Sequence, residues 1–336
     1  MTLFVIGLGL CDEKDITLRA LEAVKSSTRV YLEAYTSILM VEDYQERLEK
    51  LYGQPVILAH REVVELESDD ILSLAATSNV SFLVVGDPLS ATTHTDLILR
   101  AHAAKVPVRI IHNASIMTAI ASSGLQAYNF GQTVSVPFWT EEWKPDSWLE
   151  RIQENLDRGN HTLVLGDIKV REQSQEDMAR GVLRYQPPRY MLIPQLVTQL
   201  LAASVHHHQN SPDPSSTKPI LSADETLAVA LCRMGADDEY IASGTLGELL
   251  ALASPSVDEA AKEEAEDDAD EMASEAELDK RRAARAEKRA VKAFGPPLHS
   301  LVIVGKRLHE LEREYAALWK VGDGWQRVAR EVYGCR

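Results

Sequence analysis

The chain opens on an unbroken apolar run, "LFVIG", and the same texture returns at "VSFLVVG", where apolar positions again stand in a row before a glycine. Between such runs the apolar residues change spacing. "LRALEAVKSS", "DDILSLAATS" and "THTDLILRAHAAK" place them three and four positions apart, the period of a helix that buries one face. "RVYLEAY" and "PVRIIHN" supply further strands, and "ASIMTAIASSGL" predicts a helix with Ser115 near its start and Gly124 at its end. Short all-apolar strands alternating with helices predict a largely parallel sheet covered on both faces.

From about Gln126 the pattern loosens. "TVSVPFW", "HTLVLGDI" and "SLVIVGK" read as strands with longer connections, and "RYMLIPQLVTQLLAAS" and "TLGELLALA" as helices, which predicts a second α/β domain. A length of 336 residues agrees with two domains. The stretch "VHHHQNSPDPSSTK", Val205 to Lys218, reads as a solvated loop, and His206, His207 and His208 lack the partner cluster that a metal site needs. Asp258 to Asp279 carries 12 acids against 1 lysine, and Lys280 to Lys292 carries 7 bases against 1 acid. So alanine-rich and charge-segregated a piece has almost nothing to bury and is expected as a disordered or solvated helical insertion. The expected division is an N-terminal α/β domain over 1–118, a C-terminal α/β domain over 119–257 and 294–312, the insertion over 258–293, and a tail over 313–336.

Charge narrows the partners. A net charge of −16 argues against a nucleic-acid binder, which needs a basic face for phosphate. Cys11, Cys232 and Cys335 are far apart and fit no zinc spacing, so a reduced compartment is expected. The N-terminus has no basic region ahead of its short apolar run, and the longest stretch free of charged residues, Ile110 to Thr140, is broken by Asn, Ser, Gln, Gly and Pro. The expectation is a soluble, cytoplasmic protein without a membrane or nucleic-acid partner.

In parallel sheets ligands sit beyond the carboxyl ends of the strands, and four strand ends here are small, polar or glycine-rich: Gly7 to Leu10, Gly86 to His94, His112 to Ile116 and Leu165 to Lys169. Three readings compete. A nicotinamide dinucleotide site would use Gly7 and Gly9, with Glu33 for the ribose, but the third glycine of the fingerprint is missing from "GLGLCD". S-adenosylmethionine fits the rest: helix starts hold a carboxylate, Asp87 takes a ribose hydroxyl or the amine, and Ser90, Thr92, Thr93 and Ser115 offer adaptable hydrogen bonds. A scaffold displaying the charged insertion would bind no cofactor.

At these turns the chain resembles the diphthine synthases, methyltransferases of the tetrapyrrole methylase type. The resemblance rests on "IGLGLCDEKDIT", "RVYLEAYTS", "VVGDPLSATTHTDL", "IHNASIM", "GLQAYNFGQTVSVPFW", "HTLVLGDIKVREQS", "PPRYM", "MGADDEYIASGTL" and "PPLHSLVIVGK", in that order. It implies two α/β domains with S-adenosyl-L-methionine in the cleft between them, and a homodimer. It also implies donor-binding residues at Leu10, Asp87, Ser90, Ser115, Ile116, Gly166, Met234 and His299. Ser90 and Gly166 depart from the residues of some members, which points to backbone contacts there. The implied acceptor is a histidine of translation elongation factor 2 already bearing a 3-amino-3-carboxypropyl group, methylated three times on its amine and then esterified on its carboxylate in diphthamide biosynthesis. No metal is implied. His94, His112 and Asp167 are candidates by location for the proton acceptor, and none is assigned. Tyr128, Phe130, Phe138 and Trp139 are a candidate wall for the acceptor pocket, and Lys169, Arg171, Arg184 and Arg189 a candidate docking face.

Overall fold

The computed structural model describes residues 1–65, 68–170, 180–182, 184–210, 218–268, 270 and 273–335. The chain forms two compact units. Unit 1 comprises Met1–Ala119, Ile168–Arg189 and Arg233–Asp238; unit 2 comprises Ile120–Asp167, Tyr190–Cys232 and Glu239–Arg336. Two short stretches from the second half of the chain therefore count with unit 1, which the linear order of the sequence does not reveal.

Unit 1 is built on β1 (Leu3–Gly7), β2 (Arg29–Glu33), β3 (Ile57–Ala59), β4 (Val80–Val84) and β5 (Val108–Ile111). They form one parallel sheet in the order β3-β2-β4-β1-β5. Side chains alternate across a strand, and here the alternation sorts two cores. Phe4, Ile6, Val30, Leu32 and Leu83 face one layer with Ala20, Val24 and Leu48. Leu3, Val5, Val80, Phe82 and Val84 face the other with Ile71, Leu72 and Leu97. That is why the strands read as continuous apolar runs: both faces are covered. Truncating Phe82 to alanine would cost about 3–5 kcal/mol. The edge strand β3, three residues long with Ile57 exposed, is too short for the sequence pattern to announce.

Later in the chain come β6 (Val134–Val136) and β7 (Thr162–Gly166), a two-stranded ribbon of β8 (Ile168–Lys169) and β9 (Arg189–Tyr190), and β10 (Leu227–Cys232), β11 (Tyr240–Thr245) and β12 (His299–Ile303). The sheet of unit 2 runs β11-β10-β12-β7-β6, antiparallel except for the β6–β7 pair. One face packs on Leu196, Val197, Leu200 and Ala203 of the helix Ile193–Asn210.

Two expectations change and a third is narrowed. His206, His207 and His208 lie on the last turns of the helix Ile193–Asn210, not in a loop, while 211–217 fall outside the described residues. The tail over 313–336 is part of unit 2: the helix Gly324–Glu331 packs on β10 and β11, burying Trp325, Val328 and Ala329. The indole N–H of Trp325 donates to the Arg313 carbonyl at 3.0 Å. The insertion is not disordered in its described part. It forms two helices, Val257–Asp268 and Glu275–Phe294, the second started by a Ser274–Glu277 capping box. Arg282 and Arg285 reach Asp267 at 3.1 and 2.9 Å, Arg285 also reaches Glu266 at 3.0 Å, and Arg289 pairs with Glu263. Of the two expected forms, disordered or solvated helical, the described part takes the helical one, and the segregated charges complement each other across the two helices. Ala290 and Phe294 then anchor the end of the second helix by burial. Among the described residues no helix is long and apolar enough to cross a membrane.

Candidate functional site

In unit 1 the turns beyond β1, β4 and β5 are tied into one piece. Gly9 and Gly86 exchange backbone hydrogen bonds, 3.2 Å from the Gly9 N–H and 2.7 Å from the Gly86 N–H. Asn113, just beyond β5, donates its side-chain amide to the carbonyls of Gly7 (3.0 Å) and Asp15 (2.9 Å). Asp87 completes the tie. One oxygen accepts from the Leu89 N–H (3.0 Å) and the Ser90 hydroxyl (3.2 Å), the other from His112 Nδ1 (2.8 Å) and the Asn113 N–H (3.3 Å). Burial alone would raise the pKa of this carboxyl, but the donors outweigh it and hold it low. A carboxylate has about four acceptor sites, and all of those on Asp87 are engaged within its own turns.

This geometry explains the glycines without a dinucleotide. A Cβ on Gly7 would stand 2.5 Å from the Gly86 carbonyl oxygen, and Gly9 adopts φ +92°, a region that favours glycine. The amides of Leu10 and Cys11, which a pyrophosphate would need, already donate to Asp15 Oδ2 at 3.1 and 2.8 Å. Glu33 is buried and accepts from the Tyr35 N–H at 2.6 Å, the Thr36 N–H and the Thr36 hydroxyl. Both parts of the dinucleotide reading thus have structural roles. Asp15 and Asn113 had no assigned part in the sequence reading. Their only signals were an acid after the glycine turn and the Asn of "HNASI".

The residues carried over for the donor divide between the units. Leu10, Asp87, Ser90, Ser115, Ile116 and Met234 belong to unit 1; Gly166 and His299 belong to unit 2. Within unit 1 the turn Arg233–Asp238 brings Gly235 so close that a Cβ there would meet Leu10 Cβ at 3.0 Å. Ser115 packs beside Gly86, its hydroxyl accepting from the Met117 N–H at 3.2 Å, and Ile116 begins the short helix Ile116–Ala119. Met234 is buried.

Within unit 2, a Cβ on Gly166 would meet Met191 Cβ at 3.1 Å, so a larger residue there forces a shift. His299 Nδ1 accepts from the Ile193 N–H (3.3 Å) and Nε2–H donates to the carbonyls of Gly295 (3.2 Å) and Pro296 (3.0 Å), which assigns its tautomer.

The proton-acceptor candidates are sorted by exposure. His94 is fully buried, its Nδ1–H donates to the Pro88 carbonyl at 3.3 Å, and burial depresses its pKa to about 4. Asp167 Oδ2 accepts from the Phe138 N–H at 2.9 Å. His112 alone of the three combines a carboxylate partner at 2.8 Å with a ring that is 68% exposed. The expected aromatic wall separates: Phe138 is core of unit 2, Trp139 packs against that core, Phe130 meets His161 edge-on, and Tyr128 is exposed. Of the candidate docking residues, Arg184 and Arg189 are exposed, Lys169 is half-buried, and Arg171 lies outside the described residues.

A second carboxylate–imidazole pair, in unit 2, was not anticipated. His161 Nδ1 accepts from the Gly305 N–H at 2.9 Å, so Nε2–H donates to Glu312 at 3.2 Å. Glu312 also accepts from the amides of Gln126 (2.7 Å) and His309 (2.6 Å) and from Asn129 (3.3 Å). Burial would raise its pKa, but the bonds from His161, His309 and Gln126 bring it down to about 2.

The family model for tetrapyrrole (corrin/porphyrin) methylases matches residues 2–250. The diphthine methyl ester synthase of Schizosaccharomyces pombe is 47% identical over 328 residues, 97% of this chain and 98% of its own. That of Mus musculus is 44% identical, covering 96% and 97%. A crystal structure of an Entamoeba histolytica protein, provisionally named a diphthine synthase, is 37% identical with a TM-score of 0.69, over 95% of this chain and 98% of that one.

Proposed function

The chain belongs to the diphthine methyl ester synthases of the tetrapyrrole methylase family, and from that membership we propose that this methyltransferase transfers methyl groups from S-adenosyl-L-methionine to the aminocarboxypropyl-modified histidine of translation elongation factor 2. The observation that carries the reading is the likeness to diphthine methyl ester synthases over nearly the whole length of both chains. The amine is methylated three times and the carboxylate is then esterified, by a cytoplasmic homodimer.

The donor set supports the cofactor. Leu10, Ile116 and Met234 are apolar, Ser90 and Ser115 carry hydroxyls and Gly166 offers backbone, while Asp87 and His299 are committed to holding their own turns, and no lysine or arginine is among the eight. Such a set suits a cationic sulfonium and a nucleoside better than a pyrophosphate. When bound, S-adenosylmethionine supplies a methyl carbon open to in-line displacement, and the chain's part is to position the two reactants. Asp87 and Asn113 hold the three turns rigid and leave Ser90 and Ser115 on them. The amine must lose a proton before it attacks, and His112, oriented by Asp87, takes it.

Mass spectrometry of elongation factor 2 bearing the aminocarboxypropyl-histidine, after incubation with this protein and donor, tests the reading. Stepwise methyl additions on that histidine are expected, the final count reporting the ester. No addition despite measurable donor binding would overturn the substrate assignment.

A further inference from the structure

The carboxyl rim of the sheet of unit 1 runs on from β1, β4 and β5 to β2 and β3. Just beyond β3 the helix Arg61–Glu65 begins; just beyond β2 stands Tyr35; and the turn after β4 supplies Thr93. The Arg61 guanidinium carbon sits 5.0 Å above the centre of the Tyr35 ring. Tyr35 is buried, so its face is a fixed platform. Its hydroxyl lies 3.3 Å from the Thr93 hydroxyl, and that hydroxyl donates to Glu65 Oε1 at 3.4 Å. The same Glu65 oxygen accepts from Arg61 at 3.3 Å. The chain Tyr35–Thr93–Glu65–Arg61 thus fastens a guanidinium to the turn that also carries Asp87 and Ser90.

An arginine has five N–H donors in a planar fork. Among the described residues Arg61 has one polar partner, Glu65, and its side chain is 57% exposed. A cation stacked on an aromatic face keeps its orientation with most of its donors free. That arrangement fits a planar anion taken bidentately, and a carboxylate matches it. A carboxylate and an amine on one carbon are the free end of the acceptor.

We propose that Arg61, stacked on Tyr35 and held by Glu65, receives the α-carboxylate of the aminocarboxypropyl group; this rests on the methyltransferase reading above. Esterification removes the negative charge that Arg61 pairs with, so the finished product binds more weakly than the trimethylated acid before it.

The test compares the full-length protein with Arg61→Gln, Arg61→Lys and Glu65→Gln. KM for modified elongation factor 2 and affinity for S-adenosylhomocysteine are measured on each. Arg61→Gln is expected to raise KM by about 10- to 100-fold, the loss of one charge-assisted bidentate pair. Arg61→Lys, which keeps the charge and loses the fork, falls between, and Glu65→Gln raises KM less than Arg61→Gln. Affinity for the demethylated donor stays within about twofold in all three, which excludes misfolding as the cause. An active wild type with an unchanged KM in Arg61→Gln would overturn the assignment and leave the methyltransferase intact. A wild type that binds donor and methylates nothing would instead overturn the substrate reading, and this inference with it.

Discussion

Two carboxylates in this molecule do the same bookkeeping to opposite ends. Asp87 in unit 1 and Glu312 in unit 2 each collect four donors, one of them an imidazole. In unit 2 the network is closed. Both side chains of the His161–Glu312 pair are at most 1% exposed, and the other nitrogen of His161 is taken by Gly305. In unit 1 it is open: Asp87 is covered, but His112 holds it with Nδ1 and is 68% exposed. Identical chemistry becomes scaffold when both ends are sealed, and becomes available for reaction when one end faces solvent.

The largest effect should come from breaking the closed pair. Glu312→Ala leaves His161, Asn129 and two amides without their acceptor in a dry site, which costs about 3–5 kcal/mol of stability. Denaturant unfolding reads it directly, and a loss below about 1 kcal/mol would show that water enters the site. Glu312 also has a pH signature. Its folded pKa, about 2, lies below the ordinary glutamate value. Its contribution is therefore complete above roughly pH 5 and is lost as the pH falls through 4 towards 2, on the order of 3 kcal/mol in all.

His94 in unit 1 acts earlier. Its folded pKa of about 4 lies below the ordinary histidine value, so unfolding takes up a proton between roughly pH 6.5 and 4, and stability falls across that window as pH falls. Hydrogen exchange followed against pH should show unit 1 loosening before unit 2. In His94→Leu the upper limb should vanish while the lower one stays.

The open pair should respond in turnover rather than stability. His112→Gln is expected to lower kcat for amine methylation by about 100-fold, with unfolding shifted by less than about 0.5 kcal/mol, as for other exposed side chains. Asp87→Asn should lower kcat comparably and destabilise modestly, because it also loosens the three turns. If His112→Gln methylates at the wild-type rate, the openness of this pair has no catalytic meaning.

The difference between the pairs also marks how far the sequence could be read. The parallel sheet of unit 1 was legible because β1 and β4 bury both faces and so read as apolar runs, and because helix-spaced segments stand between them. The turns GLGL, GDPLSATTH and HNASI were legible as strand ends. Which residue held which was not, since Asn113 meets Gly7 across more than a hundred positions of chain. The His161–Glu312 pair escaped for the same reason, joining residues 151 positions apart. The antiparallel hairpin of β10 and β11 went unread because LAVALC and YIASGT carry small residues whose burial comes from neighbours distant in sequence.

The charged helices 257–268 and 275–294 sharpen the comparison at its weak end. Asp267, like Asp87 and Glu312, gathers opposing partners, here Arg282 and Arg285. Of the arginines that cover it, Arg282 is 53% and Arg285 21% exposed, so water and salt reach each pair, and pairs of this kind contribute little. The expectation is that Asp267→Asn shifts the unfolding midpoint by no more than about 2 °C. Replacing 258–286 by a short glycine–serine linker, with Ala290 and Phe294 kept in the core, should leave donor affinity within about twofold. The boundary of that deletion matters: carried through Phe294, it would open a hole in the core of unit 2 and mimic a functional loss that the charges do not cause. A large fall in donor affinity with Phe294 retained would mean that these helices, not the turns of unit 1 alone, set the geometry of the site.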